Sequence, residues 1–284
     1  MRGTRDQGIR MRRFAITVDV EEDLPGIVRH GEAGLDRGMP ALMRLLGDMG
    51  VKADLFFLAS VARSHPDLVN EARKEGHYIG NHGLDHRLLG SRSGRAQRAG
   101  IIASTRILEE VSGARPRMFR APNFSANRTT FRVLHDAGYR VDSSVLPGRH
   151  LRRFGFLPVY DHRRSPPGPH VVSDNGRGPV GALLEVPVTA NPLRPGAPLG
   201  AGAVHFFGVT AMLDALNQVS SSDIVFLVHP WELVDLGAHY PFVPEGYIRS
   251  SADGATKLGQ FLDRVRTRFR LTNLQELASG YELA

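Results

Sequence analysis

The chain contains no cysteine. Disulfide frameworks, thiolate zinc sites and cysteine redox centres are therefore excluded, while the redox compartment stays open. No stretch approaches the ~20 consecutive apolar residues of a membrane span. No apolar run of signal-peptide length precedes Phe14, and the N-terminus is charged, so a cytoplasmic location is the expectation. Acidic residues fall short of basic ones, 29 Asp and Glu against 36 Lys and Arg, for a formal charge of +7. Much of the excess sits in two arginine clusters. One is Arg2, Arg5, Arg10, Arg12 and Arg13; the other is Arg149, Arg152, Arg153, Arg163 and Arg164. Such charge attracts nucleic acid, anionic lipid or phosphorylated substrates. No nucleic-acid module accompanies it, so nucleic acid is not an expected partner. A solvated arginine-rich surface is the plainer reading, with peripheral contact to anionic lipid beside it.

With 284 residues, 42% of them hydrophobic, the chain can bury one sizeable core. Residues 1–13 read as a basic N-terminal extension and 14–284 as one domain. Phe14 to Val20 is an apolar, β-branched run that predicts a buried strand. Gly38 to Met49 has helical apolar spacing and stops at Gly50. Short buried strands then alternate with helices: Leu55–Leu58, 66–74, 78–80, 99–111, 118–120, 129–137 and 139–141. That rhythm predicts a parallel sheet of βα units, as a barrel or an open doubly wound sheet. From about 146 to 202, prolines and glycines break the regularity. An irregular insertion is expected there, with Leu183–Val188 its best strand and a functional rim its purpose. A helix over 209–219, a buried strand over 224–228, a helix over 255–268 and a final strand and helix near 270–278 complete the pattern.

Polar residues collect at the ends of these strands. Asp19 closes the first, His82 and His86 follow the third, Arg120 ends the fourth, Asp142 follows the fifth and His229 the sixth. In a parallel sheet or barrel these ends share one rim. Singly, most have ordinary explanations. Two histidines four apart suit one Zn²⁺, but with 12 histidines such a pair arises by chance about as often as not. Arg120 suits a structural ion pair, and His229 a satisfied core histidine. Acidic runs such as Glu21-Glu22-Asp23 are usually solvated. Asp19, ending an apolar strand, is harder to read as surface.

Five segments occur in order: Thr17-Val18-Asp19-Val20-Glu21, His82-Gly83-Leu84-Asp85-His86, Arg120-Ala121-Pro122-Asn123-Phe124, Asp142-Ser143-Ser144 and Val228-His229-Pro230-Trp231. They resemble the successive motifs of the polysaccharide deacetylase (NodB-homology) family, over about residues 14 to 231. The resemblance implies an α/β fold, a distorted (β/α) barrel, and hydrolytic removal of an acyl group from an acylated amino sugar. One divalent metal ion, commonly zinc, would assist. Asp19 then resembles the general base, His82 and His86 metal ligands, Arg120 the holder of the base, and His229 the general acid. Asp142 matches a motif that lines the pocket and supports the catalytic groups; Pro122, Phe124 and Trp231 would shape the groove. The family's usual second aspartate is replaced here by Val20. Residues 19 and 21 of an extended strand share a side, so Glu21 is expected as the carboxylate ligand, in the manner of the family's Asp-x-acid subset. A small, lipid-linked or glycosylated substrate is expected rather than bulk polymer. A deformylase, a metal-free imide or ureide hydrolase on the same fold, and a binding protein without turnover remain alternatives.

Overall fold

A computed structural model of the chain describes residues 11–173, 179–246, 253–279 and 281. In chain order the elements are β1 (Arg13–Val20), α1 (Met39–Asp48), β2 (Asp54–Phe57), α2 (Ala59–Ser64), α3 (Pro66–Lys74), β3 (Tyr78–Asn81), α4 (Gly94–Ser112), β4 (Met118–Phe119), α5 (Arg128–Asp136) and β5 (Val141–Asp142). There follow β6 (His150–Arg153), β7 (Leu157–Asp161), β8 (His170–Ser173), β9 (Pro179–Glu185), α6 (Ala201–Phe207), α7 (Val209–Ala215) and β10 (Asp223–Val228). Last come α8 (Leu236–His239), α9 (Gly254–Val265), β11 (Arg270–Thr272) and α10 (Leu274–Ala278). Among the described residues the main sheet runs β10-β1-β2-β3-β4-β5-β9-β8, with β11 also on β1. Only the β8–β9 pairing in it is antiparallel. The segment after β9 returns to β10: Thr189 N donates to Val225 O, and Leu227 N to Leu199 O. The sheet thus curls into the expected distorted barrel.

Period-two alternation sorts the strand residues between two cores. Phe14, Ile16, Val18 and Val20 of β1 pack under the helices, together with Met39, Leu42 and Leu46 of α1. Ala15 faces the other way, into the curl, with Phe56, Met118, Val141, Leu184, Val225 and Leu227. Burying each large apolar side chain stabilises the fold by ~1.5–3 kcal/mol, and that sets which parity faces which core. Gly80 shows how tightly the curl is filled. A Cβ there would lie 2.5 Å from the Phe56 ring, so only glycine leaves room for it.

The expected elements are present, with differences at boundaries and in the middle. Val141–Asp142 is the fifth strand, so Asp142 lies within it and Tyr139 precedes it. β1 begins at Arg13, not Phe14, and the extension read over 1–13 lies outside the described residues as far as residue 10. Arg12 and Arg13 are anchored. Arg12 donates to Leu216 O, Val219 O and Ser221 O, and Arg13 pairs with Asp223 at 2.6 Å. The stretch read as an insertion over 146–202 includes β9, a strand of the barrel itself, and a separate hairpin, β6–β7. Among the described residues no helix is long and apolar enough to cross a membrane.

Candidate functional site

The inward parity continues for one or two residues past each strand, and there apolar side chains give way to polar ones. Beyond Ala15, the inward positions of β1 are Thr17, Asp19 and then Glu21. Beyond Phe56 and Gly80 on the neighbouring strands comes His82, beyond Met118 comes Arg120, and beyond Leu227 comes His229. Asp19, Glu21, His82, His86 and His229 all line one cavity of about 210 Å³, with Asn123, Phe124, Arg149 and Trp231 in its walls. A second cavity of about 530 Å³ shares Arg149, Leu227, His229 and Trp231 with it.

Arg120 is fully buried beneath this cavity. Its Nη1 donates to Asp19 Oδ1 at 2.8 Å and to Thr17 Oγ1 at 2.9 Å. Its Nε donates to Ser143 O at 3.0 Å and its Nη2 to Ser143 Oγ at 2.8 Å. The guanidinium lies over the Phe56 ring, 4.4 Å from the centroid. Every bond fixes the plane of the guanidinium, so the Asp19 carboxylate is held with little freedom.

Glu21 is buried between histidines. Its Oε2 lies 3.3 Å from His82 Nε2 and 2.9 Å from His86 Nε2, and its Oε1 lies 3.6 Å from His229 Nε2. Burial pushes the Glu21 carboxyl up, but His82, His86 and His229 outweigh burial and hold it well below the usual carboxylate range. The acidic run is therefore not a solvated loop. Asp23 is also buried, accepting from Gly34 N at 2.9 Å and from Tyr240 Oη at 2.7 Å.

The donors of Glu21, His82 and His86 all lie within 4.8 Å of one another. His82 Nδ1 is 2.8 Å from the carbonyl oxygen of Arg120. A carbonyl only accepts, so Nδ1 carries a proton and Nε2, on the Glu21 side, is the nitrogen placed to meet a metal. Glu21 Oε2 is buried without a geometrically sound hydrogen bond. One carboxylate oxygen and two imidazole nitrogens, one ring oriented through its other nitrogen by a backbone carbonyl, fit a divalent metal of the zinc type with room left for other ligands.

His229 backs onto Glu232, whose Oε2 accepts from His229 N at 2.8 Å and lies 3.5 Å from His229 Nδ1. Its ring stacks on Trp231 at 4.8 Å. Burial pushes the imidazole down, but Glu232 and then Glu21 and Asp19 prevail, and its pKa rises to about 9.

Two expected residues lie elsewhere. Asp142 has the outward parity of β5, opposite to Val141 and Ser143, so it does not line the cavity. It pairs across the ladder with Glu185 of β9. Ser144 Oγ donates to Asp142 Oδ1, while Asp142 Oδ2 and Glu185 Oε2 are buried with no donor. Burial raises both carboxyls, and the Asp142 charge raises Glu185 further. Two facing buried carboxyls, each with one oxygen that lacks a donor, favour a proton shared between them. Pro122 is buried and is not among the residues lining the cavity, whereas its neighbours Asn123 and Phe124 are. Sequence reading missed Ser143, Glu185, Glu232 and Arg149. Continuing the alternation from Val141 would have selected Ser143 in place of Asp142.

At the barrel rim, then, a carboxylate–imidazole donor set lies beside a braced aspartate and a backed histidine. Residues 15–141 match the family model described as polysaccharide deacetylase. A chitooligosaccharide deacetylase of Azorhizobium caulinodans is 31% identical over 110 residues, 38% of this chain and 52% of that protein. The chain spans about half the length of the first curated relatives it matches. Among solved structures, a Mycobacterium smegmatis protein assigned to the polysaccharide deacetylases superposes with a TM-score of 0.66 at 20% identity, covering 96% of this chain and 91% of that one. An allantoinase superposes at 0.62 and 14% identity, over 94% of this chain and 89% of its own. Over residues 15–141 the chain is similar to the polysaccharide deacetylase family, and it shares its fold with these solved structures.

Proposed function

We propose that the protein is a metal-dependent hydrolase that removes an acyl group, in the first instance acetyl, from the amide nitrogen of an acylated amino sugar. The observation that carries this reading is the convergence on one cavity of Asp19, the Glu21–His82–His86 donor set and His229. A divalent metal held by those three donors, zinc being the expected ion, supplies Lewis acidity for the amide carbonyl and for water.

The remaining work falls to the chain. Asp19 Oδ1 is taken by Arg120, which leaves Oδ2, 3.8 Å from His82 Nε2, to accept a proton from water. Arg120 is a positioning residue that fixes this oxygen. On the opposite side His229 presents Nε2 to the cavity with Glu232 behind Nδ1, so that the ring is held to give its proton to the departing amine. An amide nitrogen leaves only once protonated, and the base and acid must therefore be separate groups. Trp231, stacked on His229, and Phe124 give the cavity apolar walls against which a sugar ring can lie. The name of the Azorhizobium relative supports an acylated amino sugar as the substrate class.

The test is to incubate the protein with N-acetylglucosamine oligomers and quantify acetate and free amine. Asp19→Asn and His229→Ala should each lower kcat by on the order of 10²-fold or more. Formate release from an N-formyl sugar with none from the acetyl compound would reassign the reaction to deformylation. Unchanged turnover in either variant would remove that residue from the mechanism.

A further inference from the structure

The β6–β7 hairpin stands apart from the barrel as its own two-stranded sheet. Its tip carries three apolar residues in water: Phe154 is 71% exposed, Phe156 68% and Leu157 49%. Phe154 has φ 54° and Gly155 φ 78°. Glycine takes this left-handed backbone readily, whereas phenylalanine does so at a cost. The Phe154 ring, exposed at that backbone cost, presents an apolar surface to something outside the folded chain.

Charge surrounds the tip. Arg152 and Arg153 flank it, and the Arg153 guanidinium lies over the Phe154 ring at 4.8 Å. Arg152 and Arg153 also line a groove of about 560 Å³ opposite Arg87 and Arg92, and the groove reaches His86. Arg87 is paired with Asp85 at 3.3 Å, and Asp161 at the foot of the hairpin pairs with Arg163. Arg92, Arg152 and Arg153 have no carboxylate partner among the described residues. Exposed rings in front and unpaired guanidinium groups behind form the pattern of a segment that enters the headgroup layer of an anionic bilayer.

We propose that the β6–β7 hairpin docks this protein on an anionic lipid surface, with Phe154, Phe156 and Leu157 among the headgroups and Arg92, Arg152 and Arg153 on their phosphates. Docking in this pose brings the groove that ends at His86 to the membrane. It is independent of the hydrolase reading, because Arg92, Arg152, Arg153, Phe154, Phe156 and Leu157 lie outside the acid–base and metal set.

The test is cosedimentation of the full chain with vesicles of phosphatidylcholine alone and of phosphatidylcholine mixed with phosphatidylglycerol. The wild type should partition onto the anionic vesicles, and added salt should release it. Phe154→Ser with Phe156→Ser should weaken partitioning on the order of 10²-fold. Arg152→Gln with Arg153→Gln should weaken it roughly 25-fold, at unchanged unfolding temperature. The second pair keeps the apolar tip, so it still tests the idea if the serine pair fails to fold. Equal binding to neutral vesicles, undiminished binding by the arginine pair, or a wild type that ignores both vesicles but captures an oligonucleotide or self-associates through the hairpin would each overturn the proposal.

Discussion

Replacing Arg120 by methionine should destabilise the protein by about 4 kcal/mol, because removing one member of a buried pair strands the other. Methionine fills much of the aliphatic volume but abandons four acceptors: Asp19 Oδ1, Thr17 Oγ1, Ser143 O and Ser143 Oγ. Thr17 Oγ1 and Ser143 Oγ still donate to Phe226 O and Val186 O, so neither hydroxyl is wholly orphaned. The largest part of the loss is then the Asp19 carboxylate, which is left buried without its cation. Asp19→Asn alone strands the guanidinium instead, with Thr17 and Ser143 still accepting from it, and should cost about 3 kcal/mol. In the double variant neither charge is buried. Its cost should fall short of the sum of the single variants by about 2 kcal/mol, the coupling energy of the pair. The assay is urea unfolding followed by far-ultraviolet circular dichroism at neutral pH, with chelator present so that metal binding does not contribute. Single-variant costs that add to the double within ~0.5 kcal/mol would show that Arg120 does not hold Asp19.

His162 accepts from Leu146 N at 3.3 Å through Nδ1, so its Nε2–H donates to Ala126 O at 3.2 Å, and burial pushes its pKa down to about 4. The native state favours the neutral ring, so this stability is full above about pH 6.5 and falls as pH drops toward 4, by up to about 3 kcal/mol. Unfolding midpoints at about pH 7 and pH 5 should diverge in the wild type and converge in His162→Asn; equal slopes would refute the assignment. The Asp142–Glu185 pair works in the opposite sense, since its carboxyls are raised and the native state holds a proton that the unfolded chain gives up above about pH 4.3. Glu185→Gln supplies a permanent donor, so it should stabilise the protein by ~1–2 kcal/mol at about pH 8 and by less at pH 5, and a pH-independent effect would argue against a shared proton.

Much of the site was legible because it follows from parity and chain order. Asp19, Glu21, His82, Arg120 and His229 each extend the inward face of a strand whose apolar residues are plain in the sequence, and His86 follows from its spacing to His82. Glu185 was hidden because only the β5–β9 register brings it opposite Asp142, 43 positions away, and register is set by partners that a single strand does not name. Asp142 sits off the rim for a related reason: alternation along β5 turns Val141 and Ser143 inward and Asp142 outward. Glu232 took its place through a turn in which its side chain bonds back to His229 N. Helix α6, with a glycine near its start and phenylalanines at its end, has little intrinsic preference for helix. Packing forms it, burying Ala201 and Val204, while Gly202 lies where a Cβ would come within 2.6 Å of Glu232 Oε1. The hairpin was obscured by Pro158 and by a turn that places phenylalanine where sequence rules expect glycine or asparagine.

The central claim is that Glu21 supplies the carboxylate of a metal centre whose usual second aspartate is Val20 here. Isothermal titration of Zn²⁺ into chelator-stripped protein tests it without any substrate. The wild type should bind one ion, Glu21→Gln should bind it at least ~10²-fold more weakly, and Glu22→Gln should match the wild type. Equal affinity in wild type and Glu21→Gln, or full occupancy after His82→Ala with His86→Ala, would contradict the account.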